Sequence, residues 1–242
     1  MKTLFPFVAL LSAAVFVGAA PVAHAQTGSG KQRTETRAVS GFQAIDSRAG
    51  IDLVLRQGTR EGIELSGEDN ILPLIETKVV DDRGVPTLVI GPKRGTSFTT
   101  HLPLAATVDL ITLKALALSG GGKVSSDALK TMVLKLSISG SATVKLRQLS
   151  ADEVSADVSG SGDLEFSGRS TKLGVSVSGR CDVDTRGLEA DDVRIDIAGS
   201  GDAAVTARKT LSVSIAGSGS VVYAGDPVVK SSIAGSGSVR KK

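Results

Sequence analysis

The stretch that decides the fold runs from residue 116 to residue 239 and repeats one nine-residue signature seven times. The copies are LALSGGGKV (116–124), LSISGSATV (136–144), ADVSGSGDL (156–164), VSVSGRCDV (175–183), IDIAGSGDA (195–203), VSIAGSGSV (213–221) and SSIAGSGSV (231–239). Their first glycines are 20, 20, 19, 20, 18 and 18 residues apart. A nearly fixed period of this length is typical of repeat proteins, in which each unit buries its apolar face against its neighbours.

Apolar and polar residues alternate around each of these glycines. The residue two positions before the first glycine is always apolar: Leu118, Ile138, Val158, Val177, Ile197, Ile215 and Ile233. The residue four positions after it is also apolar, and the outward positions that alternate with these apolar residues are polar, as in Lys135, Ser137, Asp157, Arg194 and Asp196. Period-two alternation with β-branched residues predicts strands, so each repeat is predicted to hold two short strands flanking a glycine-rich corner.

These features predict an all-β fold, a parallel β-solenoid (β-helix) with about 18–20 residues per coil. Equivalent residues of successive coils would then stack about 4.8 Å apart in parallel ladders. The leucine-rich repeat has a similar period, but its L-x-x-L-x-L pattern is missing here. The left-handed hexapeptide helix is the nearest alternative, and it fits less well because steps of 20 and 19 residues are not multiples of six.

The first 25 residues have the pattern of a secretory signal peptide. Lys2 supplies a positive start, residues 4–20 are apolar, and Ala23-His24-Ala25 is a small-residue cleavage site. We therefore expect an exported protein whose mature chain begins at Gln26, located in the periplasm, on the cell surface or outside the cell. No later segment is apolar and long enough to span a membrane, so we expect no membrane span after cleavage.

The mature chain divides into three segments by composition. Residues 26–40 are polar and contain glycine, which predicts a flexible linker. Residues 41–112 are less repetitive and predict an irregular N-terminal cap or atypical first coils, with a hairpin at Asp81-Asp82-Arg83-Gly84. Residues 113–242 form the predicted repeat solenoid.

The charge balance excludes some partners. The formal net charge is +3, and removal of the leader takes away Lys2 and no acid, which leaves +2. This is too balanced to predict binding to nucleic acid or to a membrane surface. The basic tail, Arg240-Lys241-Lys242, is expected to guard an open strand edge against aggregation.

The residues that could perform catalysis are few. His101 is the one histidine of the predicted mature chain and has no nucleophile motif nearby, and Cys181 stands in a small-residue position with no metal-binding or basic context. Sugar-cleaving β-helices use paired carboxylates, but Trp is absent here and Tyr223 is the only tyrosine. Phe166 and Tyr223 share an inward register, where a core role is expected. We predict no catalytic residues and no cofactor.

One polar column stands out. Asp163, Asp182 and Asp202 each lie three residues after the first glycine of their repeat, in three consecutive copies. Like charges stacked at about 4.8 Å repel unless water or a cation screens them, so calcium between coils is one interpretation of this column. The nine-residue calcium-binding repeat has a different period. A solvated outer face is therefore the preferred interpretation of this aspartate column.

Several ordered motifs also resemble one family. They are GFQAI (41–45), GIDLVLRQG (50–58), GEDN (67–70), VYAGDP (222–227) and IAGSGSV (233–239), together with the Ser-Gly-Ser-Gly corners. This set, which covers residues 39–240, is similar to the bacterial head GIN domain, the "putative autotransporter adhesin" family. The resemblance implies an exported β-helical protein.

Taken together, the sequence predicts a non-catalytic exported β-solenoid, adhesin-like, that binds an envelope or surface component. Two alternatives remain open: a polysaccharide-active β-helix enzyme, and an envelope scaffold without a small-molecule ligand. The fold alone does not decide among them.

Overall fold

The structure is a computed structural model that describes residues 25–242, and the predicted signal peptide lies outside these residues apart from Ala25. The fold is all-β. The strands are β1 (Gln26–Thr27), β2 (Gln32–Arg37), β3 (Ala44–Arg48), β4 (Asp52–Gln57), β5 (Gly62–Glu68), β6 (Ile75–Asp82), β7 (Val85–Pro92), β8 (Phe98–Thr99), β9 (Ala105–Leu110), β10 (Ala115–Gly120), β11 (Lys123–Ser126), β12 (Leu129–Gly199), β13 (Asp202–Gly217), β14 (Ser220–Ala224), β15 (Val228–Gly235) and β16 (Ser238–Lys241). A 3-10 turn, Leu72–Leu74, precedes β6.

The repeats pair with one another in parallel and in the register of the sequence signature. β10 pairs with the start of β12 with Leu118 opposite Ile138 and Gly120 opposite Gly140. At the other end of β12, Ile197 lies opposite Ile215 of β13, and β13 in turn pairs with β15. Fourteen of the strands join in one hydrogen-bonded sheet system, and the remaining two, β1 and β8, form a separate pair.

The predicted inward positions form the core. Of the seven residues two positions before the first glycine, the first six are at most 5% exposed, and the last, Ile233, is 41% exposed. Phe166 is buried, and Tyr223 is half-buried against the same apolar cluster, as their shared register predicted. Burial of this continuous apolar row, at about 25 cal/mol per Å² of apolar surface, is the main stabilising contribution within the repeats.

The glycines at the corners are required by close packing between repeats. The first glycines from Gly140 onward have φ between +122° and +136°. A Cβ added at Gly160 would lie far inside 3.0 Å of the carbonyl oxygen of Gly140, and Gly179 and Gly199 meet the glycine one repeat earlier in the same way. The corner backbones therefore stack directly on one another, which leaves no room for a side chain.

The prediction of a flexible linker over residues 26–40 is wrong for much of this segment. β2 pairs antiparallel with β5 from Gln32 opposite Glu68 to Arg37 opposite Ile63, and β1 pairs with β8. The segment lacks apolar alternation because β2 is a polar edge strand. Backbone pairing and the guanidinium of Arg37 hold it, since Nη1 donates to the Ile75 carbonyl (2.6 Å) and Nη2 to the Leu72 carbonyl (2.8 Å). Such interactions leave no periodic signal in the sequence.

Residues 41–112 combine two arrangements. β3 and β4 continue the parallel rows, with Ile45 opposite Leu116 and Leu53 opposite Val124. Beyond them, β6 and β7 form the predicted antiparallel hairpin, whose turn is Arg83-Gly84. Both turn residues have positive φ (53° and 84°), as a two-residue hairpin turn requires.

Candidate functional site

The aspartate column lies on the outer face of the strands that follow the corners. The side chains of Asp163, Asp182 and Asp202 are all exposed. Asp202 Oδ1 accepts a hydrogen bond from the backbone N–H of Ser220 (3.1 Å), and the hydroxyl of Thr143 lies 3.5 Å from Asp163 Oδ2. These contacts join the column to the neighbouring repeats on both sides. Within residues 25–242, no group of three or more His, Cys, Asp or Glu side chains is arranged to hold a metal ion. The interpretation of the column as a solvated outer face stays a prediction, with calcium as its alternative.

Charges of opposite sign surround this column. Lys145 pairs with Glu165 (2.7 Å) in the next repeat, and Arg186 pairs with Asp184 (2.5 Å) two residues away on the same strand. The guanidinium of Arg186, through its hydrogen bond and charge, lowers the pKa of Asp184 although burial opposes the shift. Because these side chains are largely exposed, each pair contributes little to stability. The face is a hydrated surface of mixed charge.

Cys181 lies in a buried position that makes its thiol unreactive. Its side chain is 1% exposed, and the structure places it directly beside the aspartate column. Burial first, and then the negative charges of Asp163 and Asp182, raise the pKa of the thiol to about 11. The thiolate is the reactive form of cysteine, so this thiol is inert at neutral pH. A buried, unreactive thiol agrees with the small-residue position that Cys181 occupies in its repeat.

His101 lies far from Cys181 in the chain and belongs to a different contact, around Glu68. His101 is an exposed residue, and its backbone N–H donates to Glu68 Oε2 (3.0 Å). The other carboxylate oxygen accepts from the N–H of Gly30 (2.7 Å), and the whole Glu68 residue is 1% exposed. Burial would raise the pKa of Glu68, but the N–H groups of Gly30, His101 and Leu102 together bring it below its ordinary value. Glu68 therefore fastens the N-terminal segment to the loop after β8.

The sequence reasoning missed an open groove on another side of the repeats. The groove has a volume of about 1020 Å³. Its lining includes, in successive repeats, the residues that lie 8–10 positions before the first glycine. Met132 stands in it with 74% of its surface exposed, next to the half-buried Val133. The signal that could have revealed it is the apolar Met132 at a position where the other repeats carry Thr, Asp, Lys or Pro.

The walls of this groove are charged and built by neighbouring repeats. The backbone of Lys130 is held by the side-chain amide of Gln57. The amide oxygen accepts from the Lys130 N–H (2.7 Å), and the amide nitrogen donates to the Lys130 carbonyl (2.8 Å). At the other end, Asp191 pairs with Lys209 (2.8 Å) and Arg208 (3.7 Å). The hydrogen bond from Lys209 lowers the pKa of Asp191, against a smaller effect of burial. The groove is thus lined by the apolar Met132 and Val133, by Lys130 and by the ion-paired carboxylate of Asp191.

Fold and surface together define a class: an all-β repeat protein with a buried apolar interior, a polar exterior and a groove lined by several repeats. The chain belongs to the family described as "Putative auto-transporter adhesin, head GIN domain", whose model matches residues 41–227. None of the curated proteins matches the chain. In residues 25–242 no helix has the length and apolar character needed to cross a membrane.

Solved structures share the fold. A putative adhesin from Bacteroides fragilis is 24% identical over 89% of this chain and 99% of its own, with a TM-score of 0.83. A putative adhesin from Parabacteroides distasonis is 23% identical over 90% of this chain and 100% of its own, with a TM-score of 0.70. A putative lipid binding protein from the same organism is 22% identical over the same shares of both chains, also with a TM-score of 0.70. At these identities the likeness concerns the fold.

Proposed function

We propose that this protein is an exported, non-catalytic β-solenoid that binds a component of the bacterial cell envelope or another surface through the groove around Met132. The observation that carries the proposal is this groove of about 1020 Å³, which is lined by side chains of several repeats. Family membership supports an adhesin-like role. Solved proteins with this fold include a putative adhesin and a putative lipid binding protein, and a binding role for this chain is consistent with both descriptions.

The solenoid itself is part of the proposal. Parallel pairs are offset by 20 residues between β10 and β12 and by 18 residues between β13 and β15, which equals the spacing of the sequence signature. The stacking of each corner glycine on the glycine one repeat earlier supports one coil per repeat. A stack of this kind resists bending, because every coil is hydrogen-bonded to its neighbours along its strands. A binding groove formed by several coils would therefore be preorganised, which lowers the entropy lost on binding.

Two features argue against the enzyme alternative. Glycoside hydrolysis needs a carboxylic acid whose pKa is raised so that it can protonate the leaving group. In the groove, Lys209 and Arg208 lower the pKa of Asp191 instead. The residues best suited to nucleophilic chemistry, His101 and Cys181, are not brought together, and the Cys181 thiol is buried. The groove fits binding better than bond cleavage.

The test is a sedimentation assay of the purified mature protein, residues 26–242, with envelope preparations of the producing bacterium. We expect saturable binding that Met132→Glu weakens at least tenfold, because the substitution replaces an exposed apolar side chain of the groove by a charged one. Val54→Glu is the matched control: Val54 is also an exposed apolar residue, 44% exposed, but lies on β4 outside the groove.

Two results would contradict the proposal. One is the absence of saturable binding to any envelope fraction. The other is an equal loss of binding in Met132→Glu and Val54→Glu, which would place the binding surface elsewhere. Release of reducing sugar ends from envelope polysaccharide by the wild-type protein would support the enzyme alternative instead.

A further inference from the structure

The last repeat of the described chain is the exposed end of the stack. Residues 214–221 and residues 232–239 have the same sequence, SIAGSGSV. The first copy is covered by the second, with Ile215 opposite Ile233 and Gly217 opposite Gly235. The second copy has the same strand-forming residues and the same corner. It therefore has what it needs to receive a further strand of this sequence.

Apolar side chains of the last repeat are more exposed than their counterparts in the repeat before. Ile215 is 1% exposed and its counterpart Ile233 is 41% exposed; Leu211 is 1% exposed and its counterpart Val229 is 36% exposed. In the described part of the chain, β15 pairs only with β13, and β16 pairs only with β14. The free edge of β15 thus combines unpaired backbone groups with apolar side chains whose counterparts in the preceding repeat, Leu211 and Ile215, are buried. Edges of this kind favour pairing with another strand.

The opposite end of the sheet is less suited to receive this edge. Its outermost strands, β2 and β6, pair antiparallel with their neighbours. They carry ion pairs along the strand, Glu35 with Arg37 (3.2 Å) and Glu76 with Lys78 (3.0 Å). Charged side chains on edge strands discourage further pairing. A head-to-tail chain of copies is therefore disfavoured, and a contact between two identical C-terminal ends is preferred.

The charges at the C-terminal end select one of its two strands. The basic residues Arg240, Lys241 and Lys242 lie on or directly after β16, where Lys241 continues the inward row of Tyr223 and pairs with Asp226. An inward-pointing charge blocks pairing along that strand. β15 carries only Lys230, which aligns with Ser212 in the row opposite to that of Val229 and Ile233. Its apolar row is consequently open.

We propose that a second copy of this chain covers β15, with the two β15 strands paired antiparallel about a two-fold axis. Two-fold contacts are the commonest in protein oligomers and close without forming a filament. The contact buries the end of one coil on each side, a small area for a protein interface, so the dimer forms in a concentration-dependent way. Since both copies bring a basic tail, salt strengthens the dimer by screening this repulsion.

The test is analytical ultracentrifugation of the mature protein over a concentration series at low and high salt. We expect a monomer–dimer equilibrium that shifts at least fivefold toward dimer at the higher salt concentration. Ile233→Lys should abolish the dimer, whereas Val54→Lys, which adds the same charge to a similarly exposed valine on β4, should leave it unchanged. Thermal unfolding of both variants by circular dichroism shows whether each remains folded.

Amine cross-linking of a mixture of ¹⁴N- and ¹⁵N-labelled protein gives the orientation. The two-fold arrangement predicts mixed-isotope links between Lys230 of both copies. Links from Lys230 to Lys78 would mean head-to-tail stacking and would overturn the proposal. A monomer at all concentrations, or a dimer that Ile233→Lys leaves intact, would overturn it as well.

Discussion

The replacement of Gly179 by alanine probes the stacking of the repeats at its tightest point. Gly179 has φ +131°, and a Cβ built there would lie far inside 3.0 Å of the carbonyl oxygen of Gly160. A residue with a Cβ in this backbone region costs about 1–2 kcal/mol. Forcing extra volume into a packed site adds about 1–3 kcal/mol. We therefore expect Gly179→Ala to lower the free energy of unfolding by about 2–5 kcal/mol.

Gly174→Ala is the matched control. Gly174 lies five residues earlier in β12, its φ is outside the positive region, and a Cβ there would meet nothing within 4 Å. Alanine at such a site reduces the entropy of the unfolded chain and stabilises by up to about 1 kcal/mol. For a chain of this size, about 2–4 °C of melting temperature corresponds to 1 kcal/mol, so Gly179→Ala should melt roughly 4–20 °C lower and Gly174→Ala slightly higher.

Urea unfolding followed by circular dichroism measures both variants against the wild type. The reasoning fails if Gly179→Ala unfolds within about 0.5 kcal/mol of the wild type, or if Gly174→Ala loses as much stability. Either result would mean that the corner of one repeat does not stack on the backbone of the preceding one.

Three further predictions concern the interior, the aspartate column and the N-terminal segment. Ile197→Asp should destabilise the fold severely, because it buries an unpaired charge. Asp196→Asn should change the free energy of unfolding by less than about 1 kcal/mol, because it removes only an exposed ion pair with Arg194. Equal melting shifts for the two variants would refute the assignment of the buried and exposed faces. Replacing all three aspartates of the aspartate column with Asn should leave the melting temperature unchanged or slightly higher, since like charges are removed; a chelator-dependent drop in the wild type that vanishes in the variant would instead reveal calcium. The lowered pKa of Glu68 stabilises the fold above the ordinary glutamate pKa of about 4.3, and this contribution disappears as the pH falls through the lowered value. The melting difference between wild type and Glu68→Gln should therefore be largest near neutral pH and shrink below about pH 4; a constant difference from pH 7 to pH 3 would contradict this role.

Much of the repeat structure could be predicted from the sequence, because its determinants are local and periodic. Alternation around Ile138, Val158 and Ile197 specifies which side of each strand is buried, and the structure agrees. The spacing of the first glycines likewise equals the offset of the parallel pairs. The hairpin at Arg83-Gly84 was predictable for a related reason, since its turn residues have a strong local preference.

The remaining features depend on contacts that have no local signal. β2 is held by pairing with β5 and by Arg37, whose partners lie more than thirty residues away. The burial of Glu68 depends on backbone donors from two separate segments, around Gly30 and His101. The groove at Met132 is a concavity between repeats, and the sequence pattern specifies the side of a strand but not the shape of the surface. The predicted domain bounds between the cap and the repeats stay a prediction.

The most direct test of the account is whether each repeat adds one coil to the stack. One spin label is attached to a cysteine introduced at Ser137, and the second to a cysteine at another outward position of the same column. The second position is Ser176, Ser214 or Ser232, which lie two, four and five repeats from Ser137. With Cys181 replaced by Ala, pulsed electron paramagnetic resonance should give distances that increase by about 4.8 Å per repeat, from roughly 10 Å to roughly 24 Å. Distances that do not increase linearly with the number of repeats between the labels would contradict the solenoid.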